Sequence, residues 1–188
     1  MKNIIESIRK QYPVSDSAIE ELESHLTLCN FPKKYELIKK GIFCKYAYFI
    51  EKGIVRAYWV VNGEEHITSF CTEGSIVFSM DELYYGQQSE EYAETLEEVQ
   101  AYRINICDLN KLMETNLELC NWGRIIHQNE YRRLHRSHKD RLSLPAKERY
   151  EEFKKQFPDV CNRVNLKYIA SYLGITLSTL SRLRNERP

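Results

Sequence analysis

Asn165-Leu-Lys-Tyr-Ile-Ala-Ser-Tyr-Leu-Gly-Ile-Thr-Leu-Ser-Thr-Leu-Ser-Arg-Leu-Arg184, near the C-terminal end of this 188-residue chain, is the stretch on which the fold turns. Its apolar residues form two helical sets with a break between them. Leu166, Ile169, Ala170 and Leu173 recur with a helical period, and Ile175, Leu180 and Leu183 resume it after Gly174. Ala170 is small where two helices must cross closely, Gly174 tolerates the left-handed backbone that turns a chain, and Thr176 offers an oxygen to cap the second helix. This is the pattern of a helix-turn-helix. The second helix presents Ser178, Ser181, Arg182 and Asn185 on one polar face, the side-chain types that reach base edges and phosphates. A helical hairpin buried in a larger core has little use for such a face, so the motif points to double-stranded DNA.

The charge distribution agrees. The formal net charge is zero, but residues 1–121 hold 12 Lys and Arg against 20 Asp and Glu, whereas residues 122–188 hold 15 against 7. A basic part that also contains the helix-turn-helix is the electrostatic footprint of a surface that displaces counterions from phosphates, and the acidic part belongs away from the duplex. The 43% apolar content suits a globular protein, and no apolar run approaches the twenty or so residues that span a bilayer. Met1-Lys-Asn-Ile-Ile-Glu6 also lacks the long apolar core of a signal peptide, so a cytoplasmic protein with no membrane partner is expected. Cys29, Cys44, Cys71, Cys107, Cys120 and Cys161 are too scattered for a zinc or iron–sulfur motif, which leaves reduced thiols, with a redox sensor as the alternative.

Upstream, residues 4–28 have helical spacing, interrupted at Tyr12-Pro13 and reopened by Ser15 or Asp16 as a cap. Glycines at 41, 53, 63, 74 and 86 then punctuate segments rich in Tyr, Ile, Val, Phe and Trp, as short antiparallel strands require. The clearest hairpin runs from Ile54 to Val61, through Asn62-Gly63, to Glu65–Phe70, with Val55, Ala57, Trp59 and Val61 on one face. Further strands are expected at 75–78, 92–96 and 99–104, giving a small jelly-roll-like barrel of about eight strands. Residues 108–138 read as helix, with Gly123 as a possible boundary between two helices. Arg132, Arg133, Arg136 and Lys139 raise the positive charge toward the DNA-reading end. Ser143-Leu-Pro-Ala-Lys-Glu-Arg-Tyr150 opens another helix, with Pro145 suited to its first turn, which Pro158 closes.

An N-terminal roll with glycine turns, a long connecting helix and a C-terminal helix-turn-helix together resemble the Crp-Fnr family of transcription regulators. The resemblance is carried by Tyr48-Phe-Ile-Glu-Lys-Gly-Ile-Val-Arg56, by Glu73-Gly-Ser-Ile-Val-Phe78 and, most specifically, by Ile169-Ala-Ser-Tyr-Leu-Gly-Ile-Thr176. It implies an α+β chain: a double-stranded β-roll sensor of the cyclic-nucleotide-binding type with N-terminal helices at 1–115, a dimerisation helix at 116–141, and an all-α helix-turn-helix domain at 142–188. It further implies a homodimer on a palindromic promoter site, its recognition helices about 34 Å apart, with a small-molecule effector of unknown identity and RNA polymerase as a candidate further partner. On the resemblance, Thr176, Leu177, Ser178, Ser181, Arg182, Arg184 and Asn185 form the DNA-binding set.

The chain departs from relatives that bind cyclic nucleotides. Ser79 stands where their ribose-binding glutamate is expected, Phe78 where a glycine is, and Ser89 and Glu90 where an Arg-Ser pair holds the phosphate. No Arg or Lys lies between Arg56 and Arg103, so an anionic phosphate finds no charge-assisted partner there and a response to cAMP is not expected. At the outward positions of the recognition helix Leu177 and Ser178 replace the family's arginine and glutamate, while Arg182 matches its later arginine. The sequence given ends four residues after Arg184, without a β-hairpin wing. The competing class is a ligand-binding module whose C-terminal helices contact a protein partner. An enzyme is not expected: the roll holds His66 as its one histidine, there is no phosphate-cradling glycine loop, and His127, His135 and His138 among arginines read as polar surface rather than a metal site.

Overall fold

The computed structural model describes residues 1–185. Two helices, α1 (Lys2–Gln11) and α2 (Asp16–Ser24), lead into eight strands: β1 (Thr27–Phe31), β2 (Glu36–Ile38), β3 (Tyr46–Lys52), β4 (Val55–Val61), β5 (Glu64–Cys71), β6 (Ile76–Val77), β7 (Tyr92–Thr95) and β8 (Val99–Asn105). A short helix, α3 (Met80–Tyr85), interrupts them between β6 and β7. The strands form two four-stranded sheets, β1-β8-β3-β6 and β2-β7-β4-β5, in an antiparallel β-roll. The helices α4 (Ile106–Thr115), α5 (Leu117–Ser143), α6 (Ala146–Gln156), α7 (Val160–Arg163), α8 (Leu166–Leu173) and α9 (Leu177–Asn185) follow. The chain divides into two compact units. One comprises Met1–Ala57 with Phe70–Asn129; the other takes the hairpin tip Tyr58–Ser69 together with the chain from Glu130 onward.

In the first unit β3 explains the architecture. Ala47, Tyr48, Phe49 and Ile50 are all buried, so this strand does not alternate between core and solvent. Tyr48 and Ile50 face the roll interior with Leu37, Ile38, Val55, Val77, Val99 and Ala101. Ala47 and Phe49 point the other way, into a second core with Ile4 and Ile8 of α1, Ile19 and Leu22 of α2, Leu109 and Leu112 of α4, and Leu119 and Trp122 of α5. A strand covered on both faces reads as a continuous apolar run. Phe49 and Trp122 stack at 6.2 Å and 15° across that second core.

Several expectations from sequence are corrected. The N-terminal helical region stops at Ser24 rather than continuing to residue 28, because Thr27–Phe31 pairs with β8, from Thr27 opposite Arg103 to Phe31 opposite Val99. Ser15 is the cap of α2, accepting from the Ala18 N–H at 3.3 Å. The break in the connecting helix falls at Asn116, not at Gly123. Asn116 Oδ1 accepts from the N–H groups of Glu118 and Leu119 at 3.0 and 3.2 Å, opening α5 as a cap does. Gly123 lies inside α5 as a packing residue: a Cβ there would come within 2.7 Å of Met113 Sδ. In the hairpin, Asn62 and Gly63 both have positive φ (54° and 83°), the backbone of the turn that matches strand twist. Trp59 and Val61 nonetheless remain about half exposed, so the expected apolar face is buried only near Val55. Pro145 precedes α6 as its cap residue rather than lying in its first turn.

Candidate nucleic-acid interface

The second unit builds the helix-turn-helix from its caps inward. Asn165 Oδ1 accepts from the Lys167 N–H at 3.0 Å and starts α8. Gly174 ends it in the left-handed region (φ 65°), and the Ile175 N–H donates back to the Ala170 carbonyl at 3.0 Å, the six-to-one bond that closes a helix at glycine. Thr176 Oγ1 then accepts from the Thr179 N–H at 3.1 Å and caps α9. Ile169, Ala170, Leu173 and Leu180 are buried, which fixes the two helices against each other. Removing the cap in Thr176→Ala is expected to cost the head about 1 kcal/mol, visible as a lower midpoint in thermal or urea unfolding.

Behind the two helices lies an aromatic cluster. Phe153 and Phe157 pack at 5.2 Å, and Tyr172 of α8 meets them at 5.3 and 5.8 Å. Tyr150, Val160 and Val164 complete the buried set, and the latter two explain α7, which sequence periodicity does not show. Two arginines counted from sequence toward the DNA-facing charge are engaged with Tyr172. Arg133 donates to the Tyr172 hydroxyl at 3.1 Å and to Ser69 Oγ at 3.4 Å while pairing with Glu130. Arg141 donates to the Tyr172 carbonyl at 2.6 Å. Ser171 Oγ donates to the Glu65 carbonyl and accepts from the Ile67 N–H, both at 3.1 Å, and so ties α8 to the hairpin tip. Sequence reasoning missed Ser171 and Tyr172. Their hydrogen-bond partners are 31 to 106 residues away, beyond any local signal.

The residues expected to read DNA all lie on exposed surface: Thr176, Leu177, Ser178, Ser181, Arg182, Arg184 and Asn185. They are not equivalent. Thr176 is committed to its cap and contacts Ser178 Oγ at 2.9 Å. Arg184 lies near Tyr150 and Cys161, where its charge draws both groups' pKa values down against the larger upward effect of burial. Arg182 has no hydrogen-bond or ion-pair partner among the described residues.

In the first unit, the region between β6 and β7 is acidic where a phosphate site would need cations. Ser79 and Ser89 are fully buried. Ser79 caps α3 by accepting from the Glu82 N–H at 3.3 Å, and Ser89 Oγ donates to the Glu91 carbonyl at 3.1 Å. Asp81 accepts from the Glu90 N–H at 2.9 Å, and Lys40 pairs with Glu90 at 2.8 Å. Burial, reinforced by the negative charge of Asp81, pushes the Glu91 carboxyl up to about 7. Arg56 is buried and paired with Glu94 at 3.1 Å. Among the described residues no three His, Cys, Asp or Glu side chains converge as metal ligands would, and no helix is long and apolar enough to cross a membrane.

Comparison with known proteins places this geometry. Residues 28–116 match the cyclic nucleotide-binding domain family. A search of curated proteins finds no significant relative. Among solved structures, FixK2 from Bradyrhizobium japonicum superposes with a TM-score of 0.73 at 20% identity, covering 86% of this chain and 83% of its own. The c-di-GMP-responsive global regulator CLP of Xanthomonas campestris gives 0.68 at 16% identity, with 90% and 89% covered. A crp/fnr-family protein from Eubacterium rectale gives 0.71 at 12% identity, with 93% and 85% covered. At such identities the likeness speaks for fold. Residues 28–116 thus match the cyclic nucleotide-binding domain, and the chain carries the fold of the Crp/Fnr transcription regulators.

Proposed function

We propose that the protein is a dimeric, sequence-specific DNA-binding transcription regulator whose roll senses a small molecule other than cAMP. In this reading residues 1–115 form the sensor, 116–141 the dimerisation helix and 142–188 the DNA-binding domain, in a cytoplasmic protein. The observation that carries it is the exposed face of α9, where Ser178, Ser181, Arg182 and Asn185 stand on a helix whose other side is anchored by the fully buried Leu180. Dimerisation is supported by apolar residues that α5 leaves in solvent: Tyr131 is 74%, Leu134 47% and Leu142 77% exposed. A two-fold pair of such helices would cover them and present two reading heads to successive major grooves. The acidic segment from Asp81 to Glu91 supports an effector that is not a phosphate monoanion.

Selection of bound fragments from a random duplex pool tests the proposal. It is expected to return an inverted repeat whose affinity falls steeply with salt, because each phosphate contact releases a counterion. A pool from which nothing is retained even at low salt would favour the protein-partner alternative.

A further inference from the structure

The strand β5 lies at the edge of its sheet, and among the described residues no strand pairs with its outer side. Such an edge leaves backbone N–H and C=O groups open unless something else covers them. Here one side chain does so. Ser171 Oγ of α8 donates to the Glu65 carbonyl and accepts from the Ile67 N–H, both at 3.1 Å. Residues two apart on a strand turn their backbone groups to the same side, so this hydroxyl stands where a neighbouring strand would offer its own peptide groups. A hydroxyl donates and accepts at a single atom, and an alanine methyl does neither.

The next residue of α8 extends the attachment. The Tyr172 hydroxyl accepts from Arg133 at 3.1 Å and its carbonyl from Arg141 at 2.6 Å, while Arg133 also donates to Ser69 Oγ at 3.4 Å. Two consecutive residues of α8 thereby hold β5 from Glu65 to Ser69 and the C-terminal half of α5. All of these groups belong to the second unit. The recognition helix follows, because the buried Ile169, Ala170, Leu173 and Leu180 fix α9 against α8. Ser178, Ser181 and Arg182 of α9 remain exposed. A contact that leaves this face open orients it rather than blocks it.

We propose that Ser171 is a positioning residue for DNA recognition: by bonding α8 to the β5 edge at two points, it fixes the separation and rotation at which the two recognition helices of a dimer meet their half-sites. The role rests on the dimeric-regulator reading given above. One added base pair moves two half-sites about 3.4 Å apart and turns them by about a tenth of a helical turn. A firmly held helix pair accepts one spacing, and a loosened pair accepts several.

The test uses the full chain and the half-site obtained by selection, placed singly, as the selected repeat, and as repeats one base pair longer or shorter. Wild type is expected to prefer the selected spacing by about tenfold, and Ser171→Ala to reduce that preference to about threefold or less, the scale of one or two lost hydrogen bonds. Affinity for the single half-site should stay within about twofold, since alanine is the better helix former and α8 itself is not weakened. Ser171→Thr keeps the hydroxyl and should keep the wild-type preference. In the protein alone, the Ile67 amide, followed by proton–nitrogen NMR, should exchange with solvent about tenfold faster in Ser171→Ala than in wild type or Ser171→Thr. An unchanged spacing preference in Ser171→Ala, an equal loss on the single half-site and on the repeat, or unchanged Ile67 exchange would each overturn the proposal. The two readings fail differently: a wild type that binds no duplex removes the regulator reading and this role with it, whereas a wild type that binds, beside an alanine variant with the same spacing preference, removes this role alone.

Discussion

Arg182→Ala is expected to weaken binding to the selected operator by roughly 10- to 100-fold and to flatten the preference at one base pair per half-site. The magnitude is that of a bidentate arginine–guanine contact, about 1–3 kcal/mol of discrimination. The structural reason is the difference among the exposed cations of α9. The charge of Arg184 acts on Tyr150 and Cys161, whereas Arg182 has no partner among the described residues. An arginine already engaged within its own domain would have to give up that interaction to meet a base; among the described residues Arg182 makes none. Quantitative gel shift or fluorescence anisotropy on the selected site and on single-base variants checks this. If Arg182 instead contacts a phosphate, affinity will drop equally across all sequences and the salt dependence will weaken by about one counterion. Full retention of affinity and preference would remove Arg182 from the interface.

The helix-turn-helix was legible because every signal that defines it is local. The cap at Thr176, the left-handed Gly174 and the apolar spacing of Ile169, Ala170, Leu173 and Leu180 act within twenty residues, and each has the role its residue type suggested. The hairpin at Asn62-Gly63 was legible for the same reason. Reading failed where pairing is distant. The strand β1 shows no signal until β8 is placed beside it about seventy residues later. Gly123 suggested a helix boundary because glycine lowers helix propensity, yet contact with Met113 of the preceding helix outweighs that local preference. Charge counting misled in a similar way: Arg133 and Arg141 add to the basic total of the C-terminal part, but both are engaged with Tyr172. A count of cations bounds what a surface can attract, while their hydrogen bonds decide which of them are available.

Glu91→Gln is expected to stabilise the protein at pH 8 and to change little at pH 5. Burial and the Asp81 carboxylate raise the Glu91 carboxyl from its ordinary 4.5 to about 7 in the folded state, so between those values the native protein holds a proton that the unfolded chain releases. The stability tied to that proton is fully present below about pH 4.5 and is lost as pH rises through about 7. The full shift corresponds to about 3 kcal/mol. Because Glu91 keeps some contact with solvent, a difference of about 1–3 kcal/mol between wild type and variant at pH 8 is the expected range. Lys40 does not cancel the effect, since its ammonium is paired with the neighbouring Glu90. Glutamine is neutral throughout and nearly the same shape, so the difference between the two proteins' unfolding midpoints should open between pH 5 and 8 and then level off. A constant difference across that range would mean that Glu91 is ionised in the fold as it is in the unfolded chain. The charge argument against a phosphate in this segment would then rest on a fully anionic cluster, with Asp81, Glu90 and Glu91 all repelling it.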